Sequence, residues 1–168
     1  MSLHQLRAVR TACLITGDRA LAEDIVQTAF LRAAQRIAQF DPSRPFGPWF
    51  LRSIVRDAVK AAVKQKRLVS LDGETGLFEL ADPAPQPEAL VEARETVESV
   101  RRALEKLSPN QRAAVVMRYY LGMSENEMAR ELNGPVGTVK WWLYEARRRL
   151  ARLLWSSDPA ARGREKEV

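Results

Sequence analysis

Apolar residues recur along this chain at steps of three and four, and no stretch alternates apolar with polar residues for long enough to predict a sheet. Leu3, Leu6, Val9 and Cys13 place one apolar face on a first helix from Leu3 to Ile15, with Cys13 as a small core residue. Thr16-Gly17-Asp18 stops that helix. Gly17 is the C-terminal breaker and Asp18 the N-cap of the next helix. This second helix is predicted from about Arg19 to Phe40, with Leu21, Ile25, Phe30, Ala33, Ile37 and Phe40 toward the core. Prolines 42, 45 and 48 then remove backbone donors and restrict the residues before them, so Asp41 to Pro48 is expected to be a loop. A third helix is predicted from about Trp49 to Arg67, packing through Trp49, Phe50, Ile54, Ala58 and Ala61 or Ala62.

Residues 68–90 carry Asp72-Gly73, Gly76 and the run Asp82-Pro83-Ala84-Pro85-Gln86-Pro87, the composition of an extended linker. Helical spacing resumes near Glu88 and continues to Leu107. Ser108-Pro109-Asn110-Gln111 combines a capping serine, a proline at the first helical position and a glutamine three residues after the cap. The helix it opens reaches about Tyr120. Ser124-Glu125-Asn126-Glu127 is a second capping box, opening a short helix to about Leu132, and Asn133-Gly134-Pro135 is a turn. From Val136, the residues Val139, Leu143, Ala146, Leu150 and Leu153 mark the buried side of a last helix, and 156–168 read as a disordered tail. The predicted fold is all-α: two small helical domains, 1–67 and 91–155, joined by an acidic, proline-rich linker over 68–90.

Charge follows the same division. Residues 1–67 carry a net +7, residues 70–98 a net −7 and residues 99–168 a net +6. Two basic blocks held apart by an acidic connector suit folded parts that meet a polyanion. The single cysteine excludes an intramolecular disulfide and fits a reducing compartment. One histidine, His4, leaves little from which to build a zinc site or a histidine acid–base centre, so neither enzyme chemistry nor a cofactor is expected. No apolar run approaches the length of a membrane span, and the N-terminus lacks a signal-peptide core, which points to a soluble cytoplasmic protein without membrane insertion.

The short helix, the turn with glycine and the longer basic helix form a helix-turn-helix unit, whose second helix would enter the DNA major groove. Gly137, Thr138, Lys140, Trp141 and Tyr144 stand on its first turns, where base edges are read, and Arg147 and Arg148 are placed for phosphates.

The wording of the residues narrows the reading further. Leu107 to Leu150, with Gly134-Pro135-Val136-Gly137-Thr138-Val139-Lys140 and Ala146-Arg147-Arg148-Arg149-Leu150, resembles the C-terminal promoter-binding domain of extracytoplasmic-function (ECF) sigma factors. Thr16-Gly17-Asp18, Ala22 to Gln27 and Phe30 to Ala33 resemble that family's polymerase-binding helix. Phe40-Asp41, Arg44-Pro45-Phe46 and Trp49-Phe50-Leu51 resemble the start of its minus-10 element. The resemblance covers nearly the whole chain.

It implies a transcription initiation factor whose first domain docks on RNA polymerase core through Glu23, Asp24 and Gln27, against the coiled coil of the largest subunit. Glu23 and Asp24 would also favour the helix N-terminus electrostatically. The loop from Asp41 to Pro48, including Phe46, and the helix carrying Arg56, Asp57, Lys60, Lys64 and Arg67 would take the unpaired minus-10 strand. The second domain would read minus-35 duplex beside the polymerase flap, and an anti-sigma partner is implied.

Three departures stand out. Where the family usually has Asn and, four residues on, Asp, this chain has Asp57 and Ala61, and a carboxylate facing DNA is expected to weaken minus-10 recognition. Trp141-Trp142 replaces the family's small and basic residues after Lys140; one could pack on the domain and the other meet a thymine methyl or a sugar. The first helix is a turn or two shorter than the family's, as a truncated start or a misplaced initiation codon would make it. Two alternatives keep the same residues: a sigma-like polymerase modulator that has lost strand opening, and a free-standing helix-turn-helix repressor.

Overall fold

The computed structural model describes residues 3–72 and 89–157. All regular structure among the described residues is helical. Helix α1 spans Leu3–Thr16, α2 Arg19–Gln35, α3 Phe46–Asp72, α4 Ala89–Glu105, α5 Pro109–Val115, α6 Glu125–Glu131 and α7 Val136–Ser157. The stretch 73–88, most of the expected linker, and the expected tail beyond 157 lie outside the described residues.

Local chemistry explains most helix ends. Gly17 takes φ 78° and its N–H donates to the Cys13 carbonyl at 2.8 Å, closing α1. Asp18 then accepts the Leu21 N–H at 3.0 Å as N-cap of α2. Both capping boxes read from the sequence form in full. Ser108 and Gln111 exchange hydrogen bonds at the start of α5, as do Ser124 and Glu127 at the start of α6. After α6, Asn133 adopts φ 49°, and the N–H groups of Asn133 and Gly134 donate back to the carbonyls of Arg130 and Ala129. Asparagine tolerates that left-handed geometry and here does what glycine more often does.

The structure moves the expected end of α2 and both ends of α3, and changes the helix type before Tyr120. Helix α2 ends at Gln35 rather than near Phe40: Arg36 leaves helical geometry (φ −108°, ψ 11°) and a 3₁₀ turn covers Ile37–Gln39. Ile37, expected in the core, is exposed as a result. Helix α3 begins at Phe46, with Pro48 inside its first turn, where a missing N–H has no intrahelical acceptor to lose. It also runs to Asp72, five residues into the segment read as linker. Helix α5 stops at Val115 and widens into a π-turn over Val116–Tyr120, with the Leu121 N–H reaching the Val116 carbonyl at 3.0 Å.

Helices α1, α2 and α3 pack on one another, and α5 and α6 pack on α7. The two groups are joined, because α5 also lies against α1 and α3. One continuous buried cluster therefore includes Ile15 of α1, Phe50 and Ile54 of α3, Ala113 of α5, Met117, Met128 of α6 and Leu143 of α7. Arg112 pins the seam. Its buried guanidinium donates to the Ile15 carbonyl at the end of α1 (3.2 Å) and to the Glu105 and Leu107 carbonyls at the end of α4 (3.1 and 3.5 Å). A cation set among C-terminal carbonyls answers both their unused lone pairs and the helix dipoles. Burial pushes the Arg112 pKa down, partly offset by Glu105.

Candidate nucleic-acid interface

Helix α7 buries Val139, Leu143 and Ala146 at the period read from the sequence, and its other face is open. Gly137, Lys140, Trp141, Tyr144, Arg147 and Arg148 are exposed, with Thr138 half-buried beside them. The Arg148 guanidinium lies 5.7 Å from the centre of the Tyr144 ring, and Arg148 also pairs with Glu145 at 3.4 Å. Arg147 donates to the Leu143 carbonyl one turn back. A Cβ added to Gly137 would meet open space, so glycine here leaves room for close approach rather than relieving a clash.

The tryptophan pair is divided by the helix itself. Trp142 packs against the core, while Trp141 stays 57 % exposed next to Lys140. Successive helical residues point about 100° apart, so a core-facing Trp142 forces Trp141 outward.

On α3, Arg56, Lys60, Lys64 and Arg67 are exposed at steps of four, four and three, which puts them on one face. Arg52, one turn earlier and half-buried, extends this stripe. Asp57 lies beside the stripe and is paired with Arg32 of α2 at 2.9 Å. Between α2 and α3 a cleft of about 450 Å³ gathers Arg32, Arg36, Trp49, Arg56, Asp57 and Lys60, with Asn133 from the helix-turn-helix at its edge. Four guanidinium or ammonium groups against one carboxylate make the cleft cationic.

Phe46, expected in the loop, is instead the first residue of α3. It stacks on Phe50 at 5.4 Å and 14°, meets Phe40 edge-on at 5.7 Å and lies 5.6 Å from Trp49. Trp49 closes this aromatic cluster with one side facing solvent, 37 % exposed. The loop Asp41–Arg44 is held by the Asp41 carboxylate, which accepts from the Ser43 hydroxyl (2.6 Å) and N–H (3.0 Å) and pairs with Arg44. The Ser43 hydrogen bonds, hydroxyl first, lower the Asp41 pKa.

A third exposed group lies on α2. Glu23, Asp24 and Gln27 are all exposed, and Ala22, Ile25, Val26 and Ala29 bury the opposite side. Arg19 pairs with Glu23 at 2.9 Å, leaving Asp24 and Gln27 adjacent on the outer surface.

Comparison with known proteins settles the lineage of this arrangement. The family model of sigma-70 region 2 matches residues 1–68, and that of sigma-70 region 4 matches residues 98–150. The ECF RNA polymerase sigma factor SigW of Bacillus subtilis is 31 % identical over 140 residues, covering 79 % of this chain and 75 % of that protein. The chain belongs to the ECF sigma factors of the sigma-70 family.

Another ECF sigma factor, BldN of Streptomyces coelicolor, is 34 % identical over 140 residues; the match covers 82 % of this chain and 52 % of BldN, so the chain spans about half that relative's length. The fold is shared with the sigma factor RpoE of Bartonella quintana, solved in complex with the anti-sigma factor NepR, at a TM-score of 0.69 and 23 % identity over 90 % of this chain and 92 % of that one. The residue pattern singles out the α7 face, the α3 stripe and the α2 group. It misses Arg32 and Arg36, which become walls of the cleft only when α2 and α3 pack, and Arg52, which begins the stripe on α3 itself. Spacing alone gives a signal for Arg52, since it lies four residues before Arg56.

Proposed function

We propose that this ECF sigma factor binds RNA polymerase core and directs promoter-specific initiation. In this reading α7 meets minus-35 duplex, and the cleft and stripe of α2 and α3 take the unpaired minus-10 strand. Residues 1–67 and 91–155 are the two working units. The observation that carries the reading is that two cationic, aromatic-bearing faces stand on separate helices of the two matched regions. Lys140, Trp141, Tyr144 and Arg148 form one, and Trp49, Arg56 and Lys60 the other.

The two faces divide the labour of recognition. Tyr144 and Trp141 present flat apolar surface beside cations on a helix free to enter a major groove. The cleft offers a half-exposed indole edge and four cations, the combination that holds single-stranded bases and their phosphates. Glu23, Asp24 and Gln27 form the polymerase-docking patch. The promoter unwinding belongs to the holoenzyme, and the sigma chain contributes binding rather than bond chemistry. A cytoplasmic setting follows from that partner, and among the described residues no helix is long and apolar enough to cross a membrane. An anti-sigma protein is a further partner in this reading, as the Bartonella relative was solved in complex with one.

Co-purification with bacterial RNA polymerase core tests the reading, comparing the wild type with an Asp24→Arg, Gln27→Ala double variant. Both side chains are exposed, so the variant is expected to fold and to lose polymerase. A folded wild type that leaves polymerase unbound would overturn the assignment in favour of a free-standing duplex-binding regulator.

A further inference from the structure

We propose that Trp141 is a thymine reader: its indole takes the 5-methyl group of one thymine in the minus-35 duplex and makes promoter choice depend on an A·T pair there. Packing fixes the direction of position 141 but not its residue. With Trp142 turned to the core, residue 141 must face outward, and a serine or lysine would stand there at little cost to the fold. The largest of all side chains stands there instead, exposed, and among the described residues it has no ring, cation or hydrogen-bond partner. Gly137, one turn before, and Tyr144, one turn after, share its face. Gly137 adds no side chain, and a Cβ there would meet open space, so the N-terminal flank of the indole is clear for close approach. On the other flank, Tyr144 is exposed and Arg148 lies 5.7 Å from its ring centre, a cation placed for phosphate. Lys140 pairs with Glu125 of α6 at 3.8 Å, so its charge is partly answered within the protein.

Given α7 as the duplex-reading helix, on which this proposal rests, the chemistry of the groove selects the target. Base edges in the major groove present hydrogen-bond donors and acceptors, and the thymine 5-methyl is the one apolar group among them. An indole face gains little from a purine N7 or a cytosine amino group, whereas against a methyl both partners bury apolar surface. Stacking on a base is closed to it, because a duplex offers base edges and keeps base faces paired in the stack. Deoxyribose is available at every base pair and would give affinity without sequence choice. Helical rise carries Tyr144 about 4.5 Å along the axis from Trp141, against about 3.4 Å per base pair, so the two rings address neighbouring pairs.

The test selects duplexes from a random-sequence pool with the full chain, alone at low salt and joined to polymerase core. Each thymidine of the selected site is then replaced singly by deoxyuridine, which removes only the methyl. Wild type is expected to lose about three- to fivefold in affinity at one thymine. Position 141 is exposed, so Trp141→Ala and Trp141→Phe are expected to fold. Trp141→Ala should bind the thymidine duplex more weakly and be indifferent to that replacement, while Trp141→Phe keeps part of the sensitivity. Equal losses in wild type and Trp141→Ala would overturn the proposal, since another residue would then hold the methyl. A selected site without thymine, or one in which no replacement matters, would overturn it as well and leave Trp141 on a sugar or away from DNA. A chain that selects no duplex in either setting would overturn it together with α7 as the reading helix. Failure to join core would show in the co-purification, and selection by the chain alone would still decide the methyl contact.

Discussion

Arg32 of α2 donates to the Asp57 carboxylate of α3 at 2.9 Å, 25 residues away in sequence. The pair lies in the cleft that also holds Arg36, Arg56 and Lys60. Asp57 stands where the family usually has an asparagine, and alone it would repel a phosphate backbone. Held by Arg32, it would face a bound backbone as half of a neutral pair.

Arg32→Gln is therefore expected to weaken single-stranded DNA binding by removing a cation and by unmasking Asp57. In an Asp57→Asn background the same substitution should cost less, the two costs differing by about two- to fivefold in affinity. A four-variant cycle read by fluorescence anisotropy at fixed salt measures that difference. Equal costs in both backgrounds would show that the pair does not shield the backbone from Asp57.

Arg112 is expected to be among the most costly polar residues to remove. Arg112→Ala withdraws donors from the carbonyls of Ile15, Glu105 and Leu107, at a cost of about 2–4 kcal/mol. Urea unfolding of the variant checks this. A loss below about 1 kcal/mol would mean that the carbonyls find other donors as the seam relaxes.

Glu127 joins a cap to the seam, and its chemistry predicts a pH response. The Ser124 N–H and then its hydroxyl, with Arg52 and Arg130 nearby, hold its pKa below the ordinary value of 4.5. A carboxyl depressed on folding adds stability that is present above its unfolded pKa and lost as pH falls through the folded one. Thermal melts should show the Glu127→Gln variant approaching wild type as pH drops below about 4.5, with the gap largest near neutrality. A gap that widens in acid would contradict the assignment.

Trp141 and Trp142 are expected to separate stability from binding. Trp142→Ala removes an indole packed on the core and should cost about 2–4 kcal/mol in chemical denaturation. Trp141→Ala should change stability by less than about 0.5 kcal/mol yet weaken minus-35 duplex binding by the holoenzyme. Filter binding with the reconstituted holoenzyme distinguishes the two; equal stability losses would place both rings in the core.

Much of this was legible along the chain because it is local. Both capping boxes, the Gly17 stop, the Asn133-Gly134-Pro135 turn and the buried period of α7 depend on residues within a turn or two of one another. Where expectation and structure part, several short-range signals competed. Pro48 breaks a helix in general but not in its first turn, and the apolar spacing through Ile37 and Phe40 persists past the residue at which α2 ends.

By itself the sequence determined an all-helical chain of two basic blocks, the faces on which Lys140, Tyr144, Lys60 and Lys64 stand, and the family whose wording those residues repeat. Tertiary structure alone decided which charges meet: Arg32 with Asp57, Arg52 and Arg56 with Glu131, Arg112 with the ends of α1 and α4. The reason is physical. Helix periodicity fixes a side chain's direction relative to its own axis, whereas an ion pair between helices depends on how two axes pack, which is set by the fit of Ile15, Phe50, Met117 and Met128 in the shared core.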